Sequence, residues 1–208
     1  MKKISIIIFL GCLLGLNMSL SAQSTGTENG HEWVDLGLPS GLKWATCNVG
    51  AKTPEQCGNY YAWGETKPKD EYTQKNSLTY GKDIDDISGN AQYDAATANW
   101  GGDWRMPTKT EMTELINKCT WEWTKQNGVK GYKVTGPNGN SIFLPAVGYF
   151  EMNAFTSGSC GYSFYWSSTP LESSSNNAYD LRLDSSGHVG LYYTYSRRDG
   201  RSVRPVLE

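Results

Sequence analysis

Histidine is almost missing from this chain, which has His31 and His188 alone in 208 residues. No H-E-x-x-H and no C-x-x-C spacing occurs, so a zinc centre has no ligand set to build on. No G-x-S-x-G elbow and no phosphate-cradling glycine loop is present either, and with them go the local signatures of serine hydrolysis and nucleotide chemistry. Neither imidazole has a partner motif: His31 reads as a leader residue and His188 as a turn residue, rather than general bases. An excess of charge is lacking too. Nineteen Lys and Arg stand against twenty-one Asp and Glu, which gives no electrostatic grip on nucleic acid or on an anionic membrane. Basic residues gather only near the end, at Arg197, Arg198, Arg201 and Arg204.

Aliphatic residues are sparse, and eight Trp, thirteen Tyr and five Phe take their place. A buried aromatic ring removes about 150–250 Å² from water, worth roughly 4–6 kcal/mol. Most of the rings are therefore expected in the core, with a minority left for a binding surface. Past Leu16 no apolar run is long enough to span a bilayer. The run before it, Ile4 to Leu16, follows Lys2 and Lys3 and leads into Ser19, Ser21 and Ala22. That is the pattern of a secretory signal peptide over residues 1–22, and it implies a periplasmic, outer-membrane-surface or secreted protein. Residues 23–30 read as a flexible polar leader, and 31–208 as a single domain. Cys12 faintly resembles a lipoprotein cleavage site, but cutting there would leave a greasy new N-terminus.

Export leaves four cysteines, Cys47, Cys57, Cys119 and Cys160, and an even number in an oxidising compartment favours disulfides. Of the three connectivities, Cys47–Cys119 with Cys57–Cys160 is the expected pairing, because Cys119 lies on the buried stripe of a helix and Cys47 ends a strand. Buried free thiols are the alternative.

That helix is the best-defined element of the sequence. Thr108 three residues before Glu111 has the form of a capping box, and Pro107 sits just outside it. Met112, Leu115, Ile116 and Cys119 then recur at helical spacing, predicting a helix over about 108–118. Around it, short strands are predicted over 33–36, 42–47, 60–63, 120–124, 132–135, 141–144, 164–168, 178–183, 189–195 and 202–206, separated by Gly-, Asn- and Pro-rich turns. Tyr179, Leu181 and Leu183 alternate with Asp180, Arg182 and Asp184, predicting one dry and one wet face. Residues 65–98 are polar and aperiodic, a long loop of functional or family-specific type. Its Asp83, Asp85 and Asp86 invite a calcium reading, but an EF-hand loop is excluded by spacing, so a solvated acidic loop is expected and no metal or other cofactor. The fold class expected is α+β: twisted antiparallel sheets, one main helix and long irregular loops.

Several motifs now stand together: EWVDLGLPSGLKWATCNVGA (Glu32–Ala51), YYAWGETKP (Tyr60–Pro68), NWGGDWRMPTKTEM (Asn99–Met112), YWSS (Tyr165–Ser168) and SVRPV (Ser202–Val206). Together they resemble the major paralogous domain family first named from Fibrobacter and abundant in exported proteins of Bacteroidetes. More distantly, WRMPTKTEM with the terminal RSVRPV is similar to the formylglycine-generating-enzyme and C-type-lectin-like superfamily. The resemblance implies a C-type-lectin-like fold. It does not carry formylglycine chemistry over, because no cysteine follows Cys160, nor calcium-dependent sugar binding, because the EPN, QPD and WND triplets are absent.

In C-type-lectin-like variable proteins the ligand face is built from segments just before the terminal strand, which corresponds here to Gly161–Gly200. Tyr and Arg interleaved with Ser, Gly and Asn is also the composition of adaptable paratopes. The candidate ligand-binding residues are Tyr162, Tyr165, Tyr179, Arg182, Tyr195, Arg197, Arg198 and Asp199, while Trp166 and Tyr193 are assigned to the core. The expectation is a non-catalytic module for a glycan or protein ligand. A structural or adhesin-type component, betrayed by an exposed apolar edge, and a hydrolase with two close acids are the alternatives.

Overall fold

The computed structural model describes residues 24–157, 161–193 and 195–208. The signal-peptide segment and Cys160 lie outside them. Strand accounts for 38% and helix for 9%, arranged in three sheets. The expected α+β, C-type-lectin-like class is thereby corrected to a β-rich fold. The physical reason is that α2 (Lys109–Lys118) is only ten residues long and α1 (Ala95–Trp100) six. Each covers part of a sheet, and neither forms a layer of its own.

The first sheet has the order β1 (Thr25–Glu28), β2 (His31–Asp35), β3 (Lys43–Ala45) and β12 (Val206–Leu207), so strands from both ends of the described chain share it. Residues 25–28, read as a loose leader, are a paired strand with Thr25 opposite Val34. The second sheet is the meander β4 (Thr120–Gln126), β5 (Val129–Thr135) and β6 (Ser141–Pro145). Asn127 and Gly128 turn its first corner, both at positive φ, as the Asn-Gly pair predicts. The third sheet runs β11 (Val189–Tyr192), β10 (Ala178–Asp184), β9 (Tyr162–Pro170), β7 (Gly148–Glu151) and β8 (Ala154–Ser157).

α2 lies across β9, β10 and β11. Its capping box forms as the sequence predicts: Thr108 Oγ1 accepts from Glu111 N at 3.3 Å, and the Glu111 carboxylate accepts from Thr108 N at 2.8 Å. The same carboxylate also receives both ends of the Arg105 guanidinium, at 2.9 and 2.7 Å. Met112 and Leu115 are buried with Val34, Trp44, Tyr132, Tyr165 and Leu181 in one core cluster. A second cluster gathers Trp63, Trp100, Trp104, Met106 and Trp166. The rings do fill the core, as sparse aliphatics require. The long polar stretch before the helix is not loose. Asp94 caps α1 and accepts four backbone N–H bonds, from Ala96, Thr97, Gly89 and Met106, at 2.8–3.0 Å. Burial pushes its carboxyl up and those four donors pull it down, burial prevailing.

Residues 200–207 run between the first and third sheets and touch both. Gly200 bridges Phe150, Arg201 bridges Tyr61, Ser202 pairs with Tyr165, and Val203 O accepts from Val49 N at 3.0 Å. Val206 then pairs with Trp44 and bridges Arg105. Only its last two residues form a regular strand, because the segment changes partner at nearly every step.

No disulfide is found among the described residues; Cys47, Cys57 and Cys119 are free. The expected Cys47–Cys119 bond does not form because the thiols belong to different places. Cys119 ends α2 against the first cluster, where burial pushes its thiol up to about 11. Cys47 lines a cleft with His31 and Trp100. Among the described residues no helix is long and apolar enough to cross a membrane.

Arg204 is fully enclosed, yet its guanidinium meets no carboxylate among the described residues. It donates to Asn48 Oδ1 at 2.8 Å and to the carbonyls of Ala45, Thr46 and Phe143 at 3.0, 2.7 and 3.0 Å. Replacing it by Met would orphan four buried acceptors. Arg204→Met should therefore cost about 3–5 kcal/mol, seen as a lower urea midpoint at unchanged slope. A loss under about 1 kcal/mol would mean that water replaces the guanidinium.

Candidate functional site

β10 carries the candidate residues on a strand with two unlike faces. Leu181 and Leu183 face α2 and the first core cluster. On the other face Asp180 is opposite Trp166, Arg182 opposite Phe164 and Asp184 opposite Tyr162. This is the face the alternation predicts to be wet, and half of it is sealed. Asp180 and Asp184 are buried, and only Arg182 reaches solvent. The terminal segment covers the remainder.

The cover is Arg201. Its guanidinium lies 4.4 Å from the Phe164 ring centre, 4.6 Å from Tyr195, 5.0 Å from Tyr149 and 5.2 Å from Trp166. Arg201 Nε is 2.9 Å from Asp180 Oδ2, and Nη2 is 3.6 Å from Asp199 Oδ2. Rings on all sides remove the water that would otherwise solvate the ions. For Asp180 that desolvation prevails: its carboxyl is pushed up to about 7, Arg201 pulling against it and Asp199 adding to it.

Three of the eight candidate residues are buried rather than presented at the surface. Tyr165 is buried and donates its hydroxyl to the Pro145 carbonyl at 2.6 Å. Arg197 packs 4.2 Å over the Trp63 ring and donates to the carbonyls of Asn177 and Lys82 at 3.0 and 2.9 Å. Asp199 accepts from Met152 N at 3.3 Å beside Arg201. Tyr195 sits half-buried at the rim of the Arg201 cage, 4.8 Å from Phe164.

What remains outside is a tyrosine surface. The Arg182 guanidinium is held between Tyr162 and Tyr192, 5.2 Å from each ring centre, and is tied to Asp184 at 3.1 Å. His188 Nε2 lies 2.6 Å from the Tyr192 hydroxyl. On the opposite face, beside the start of α2, Tyr193 is 53% exposed and leans on Tyr179 at 5.8 Å, with the Lys109 ammonium 4.7 Å over Tyr179. Tyr193, expected in the core, is thus one of the most exposed rings. Its signal was readable: Tyr192 and Tyr193 are adjacent at the end of an edge strand, so both cannot face inward. Arg198 stands apart, 6.0 Å from Tyr80 and in a separate cleft.

Several clefts indent the described surface. One of about 450 Å³ is lined by Thr97, Trp104, Arg105 and Glu208. Another, of about 410 Å³, holds His31 stacked 3.7 Å on Trp100, beside Glu32, Cys47 and Lys52. A third, of about 210 Å³, lies between Val34, Pro54, Lys133 and Phe143. The last, of about 230 Å³, is formed by Tyr72, Thr73, Gln74, Met152 and Arg198.

The Asp180 environment sets a pH dependence. Its folded pKa of about 7 lies above the ordinary 3.8, so the folded chain holds this proton more tightly than the unfolded one. The stability it contributes is complete below about pH 3.8 and is lost as pH rises through 7. Asp180→Asn should flatten that decline, read as the difference between the two proteins' denaturation midpoints across the window. Parallel pH profiles would show that Arg201 keeps Asp180 ionised throughout.

No curated protein and no solved structure matches the chain. A family model does: that of the Lcl C-terminal domain, over residues 37–207. The matched span takes in β3 through β12, both helices, the buried arginines and the tyrosine surface. The motif resemblance to a paralogous domain family holds at this coarser level, and the chain belongs to the Lcl C-terminal domain family.

Proposed function

We propose that this domain is an exported, non-catalytic binding module whose ligand, a glycan or a protein surface, docks on the tyrosine face of β9, β10 and β11. The observation that carries the reading is the Arg182 clamp. A guanidinium fixed between Tyr162 and Tyr192, with its charge answered by Asp184, presents rigid rings and hydroxyls without a net charge to desolvate. Tyr193 and Tyr179 form a separate patch on the opposite, α2-facing side of the same strands. Rigid rings lose little entropy on binding, which favours recognition by contact area and hydrogen bonds. The carboxyls that burial pushes up, Asp94, Asp180 and Asp199, are sealed in the core. That arrangement favours framework over acid–base chemistry. A second reading, a structural component of a surface assembly, is favoured by the exposed edge of β8.

A glycan and protein array probed with the purified protein tests the binding reading. Tyr162→Ala with Tyr192→Ala should weaken any array hit at least about tenfold, or 1.4 kcal/mol. The thermal midpoint should hardly move, because both rings lie outside the two core clusters. Arg197→Ala, by contrast, should lower the midpoint through loss of a buried framework residue. Undiminished binding by the double variant would remove the tyrosine face from consideration.

A further inference from the structure

Of the arginines that gather near the end of the chain, Arg197, Arg201 and Arg204 are answered inside the fold by carbonyls, rings or carboxylates. Arg198 is left over. Its Nε is buried without a hydrogen-bond partner among the described residues. The nearest carboxylate, Asp199, is 3.9 Å away, beyond hydrogen-bond reach. That carboxylate is already engaged, accepting from Met152 N at 3.3 Å and facing Arg201 Nη2 at 3.6 Å. The Arg198 side chain is 25% exposed, so its charge is partly stripped of water and incompletely met by protein.

Arg198 lines the cleft of about 230 Å³, with Tyr72, Thr73, Gln74 and Met152. These walls come from three segments that are pinned to one another. Tyr72 N donates to Asn153 Oδ1 at 2.9 Å, and the Tyr72 hydroxyl donates to the Tyr60 carbonyl at 2.6 Å. The Met152 amide holds Asp199, the next residue after Arg198. Gly200 lets Tyr72 approach, because a Cβ there would lie 2.8 Å from the ring. Met152 and Asn153 turn the β7–β8 hairpin at positive φ, 46° and 65°, a conformation that disfavours methionine. The result is a thioether 68% exposed at the rim of the cleft. An aromatic wall continues from Tyr72, which stacks on Phe150 at 4.8 Å, to Phe155, 5.0 Å from Phe150 and 52% exposed.

We infer that this cleft binds the C-terminal residue of a peptide, its free carboxylate on Arg198 and its apolar side chain against Met152. A guanidinium is a planar fork that fits a carboxylate with two hydrogen bonds, and a chain's terminal carboxylate is a recurring handle in peptide recognition. Pockets for drug-sized ligands run to about 300–1,000 Å³, so this smaller one admits a single residue rather than a whole ligand. The methionine thioether adapts to apolar side chains of different shape. A sugar acid would satisfy Arg198 equally well, but its hydroxyls would face Met152 and Phe155, which offer them no hydrogen bond. The site is separate from the tyrosine face and needs nothing from it.

Nuclear magnetic resonance titration of the isotope-labelled protein with an acetylated pentapeptide ending in Leu tests this. The expected result is saturable binding with a dissociation constant of about 1 mM or below, shifting the amides of Thr73, Gln74 and Met152. The same peptide with an amidated C-terminus should bind at least about tenfold more weakly, and one ending in Ser should bind less tightly than the one ending in Leu. Arg198→Gln should lose at least the same factor with near-ultraviolet circular dichroism unchanged, and Arg198→Lys should recover only part of it. Tyr162→Ala with Tyr192→Ala should leave this binding intact, so failure of the tyrosine face and failure of the cleft read separately. Equal binding of the amidated peptide, indifference to Arg198→Gln, or no binding up to about 10 mM would overturn the proposal. So would glucuronic acid binding more tightly than the peptide, which would assign the cleft to an acidic sugar.

Discussion

The fold depends on burying three guanidinium groups from one short stretch, Arg197, Arg201 and Arg204, each by a different means. Arg197 is solvated by a Trp63 ring and two carbonyls, Arg204 by carbonyls and an amide, and Arg201 by four rings and two carboxylates. A charge removed from water must be met by dipoles or a counter-charge, or the burial costs more than it returns. Meeting that demand brings together Lys82, Asn177, Tyr149, Phe164, Asp180, Asn48 and Phe143, which are scattered along the chain. The segment 200–207 bonds to strands of two sheets while carrying Arg201 and Arg204. It is the seam of the molecule, and the capped helix is a well-formed accessory to it.

That constraint also separates framework from surface. The side of β10 nearest the seam is spent on the Arg201 cage, and what lies beyond it, Arg182 with its flanking tyrosines, is free of that duty. At the other end of the sheet the β7–β8 hairpin is anchored through Asp199, next in line to Arg201. One buried charge cluster thus steadies both the tyrosine surface and the exposed edge.

Much of the local structure was legible. Thr108 and Glu111 announced the helix start, Asn127-Gly128 the turn, and the ring-rich composition the aromatic core, because each rests on interactions within a few residues. The errors share a cause. Asp180 and Asp184 looked solvent-facing because alternation describes a strand and its faces, but not what later covers a face. Arg197 and Asp199 looked like a paratope because the composition of a loop is the same whether its side chains point out or in. Cys47 and Cys119 looked like a pair because counting thiols does not place them.

The amino-acid sequence by itself determined the capped helix, the Asn127-Gly128 turn, the strands of the 120–145 meander, and that rings must build the core. Those outcomes follow from backbone sterics, capping and burial over short spans. Only the tertiary structure decided which arginines are interior and which tyrosines are left to touch something else. Arg197 and Lys82, or Arg204 and Ala45, are over a hundred residues apart, and desolvation of a charge is settled by what folds around it, not by its neighbours in sequence.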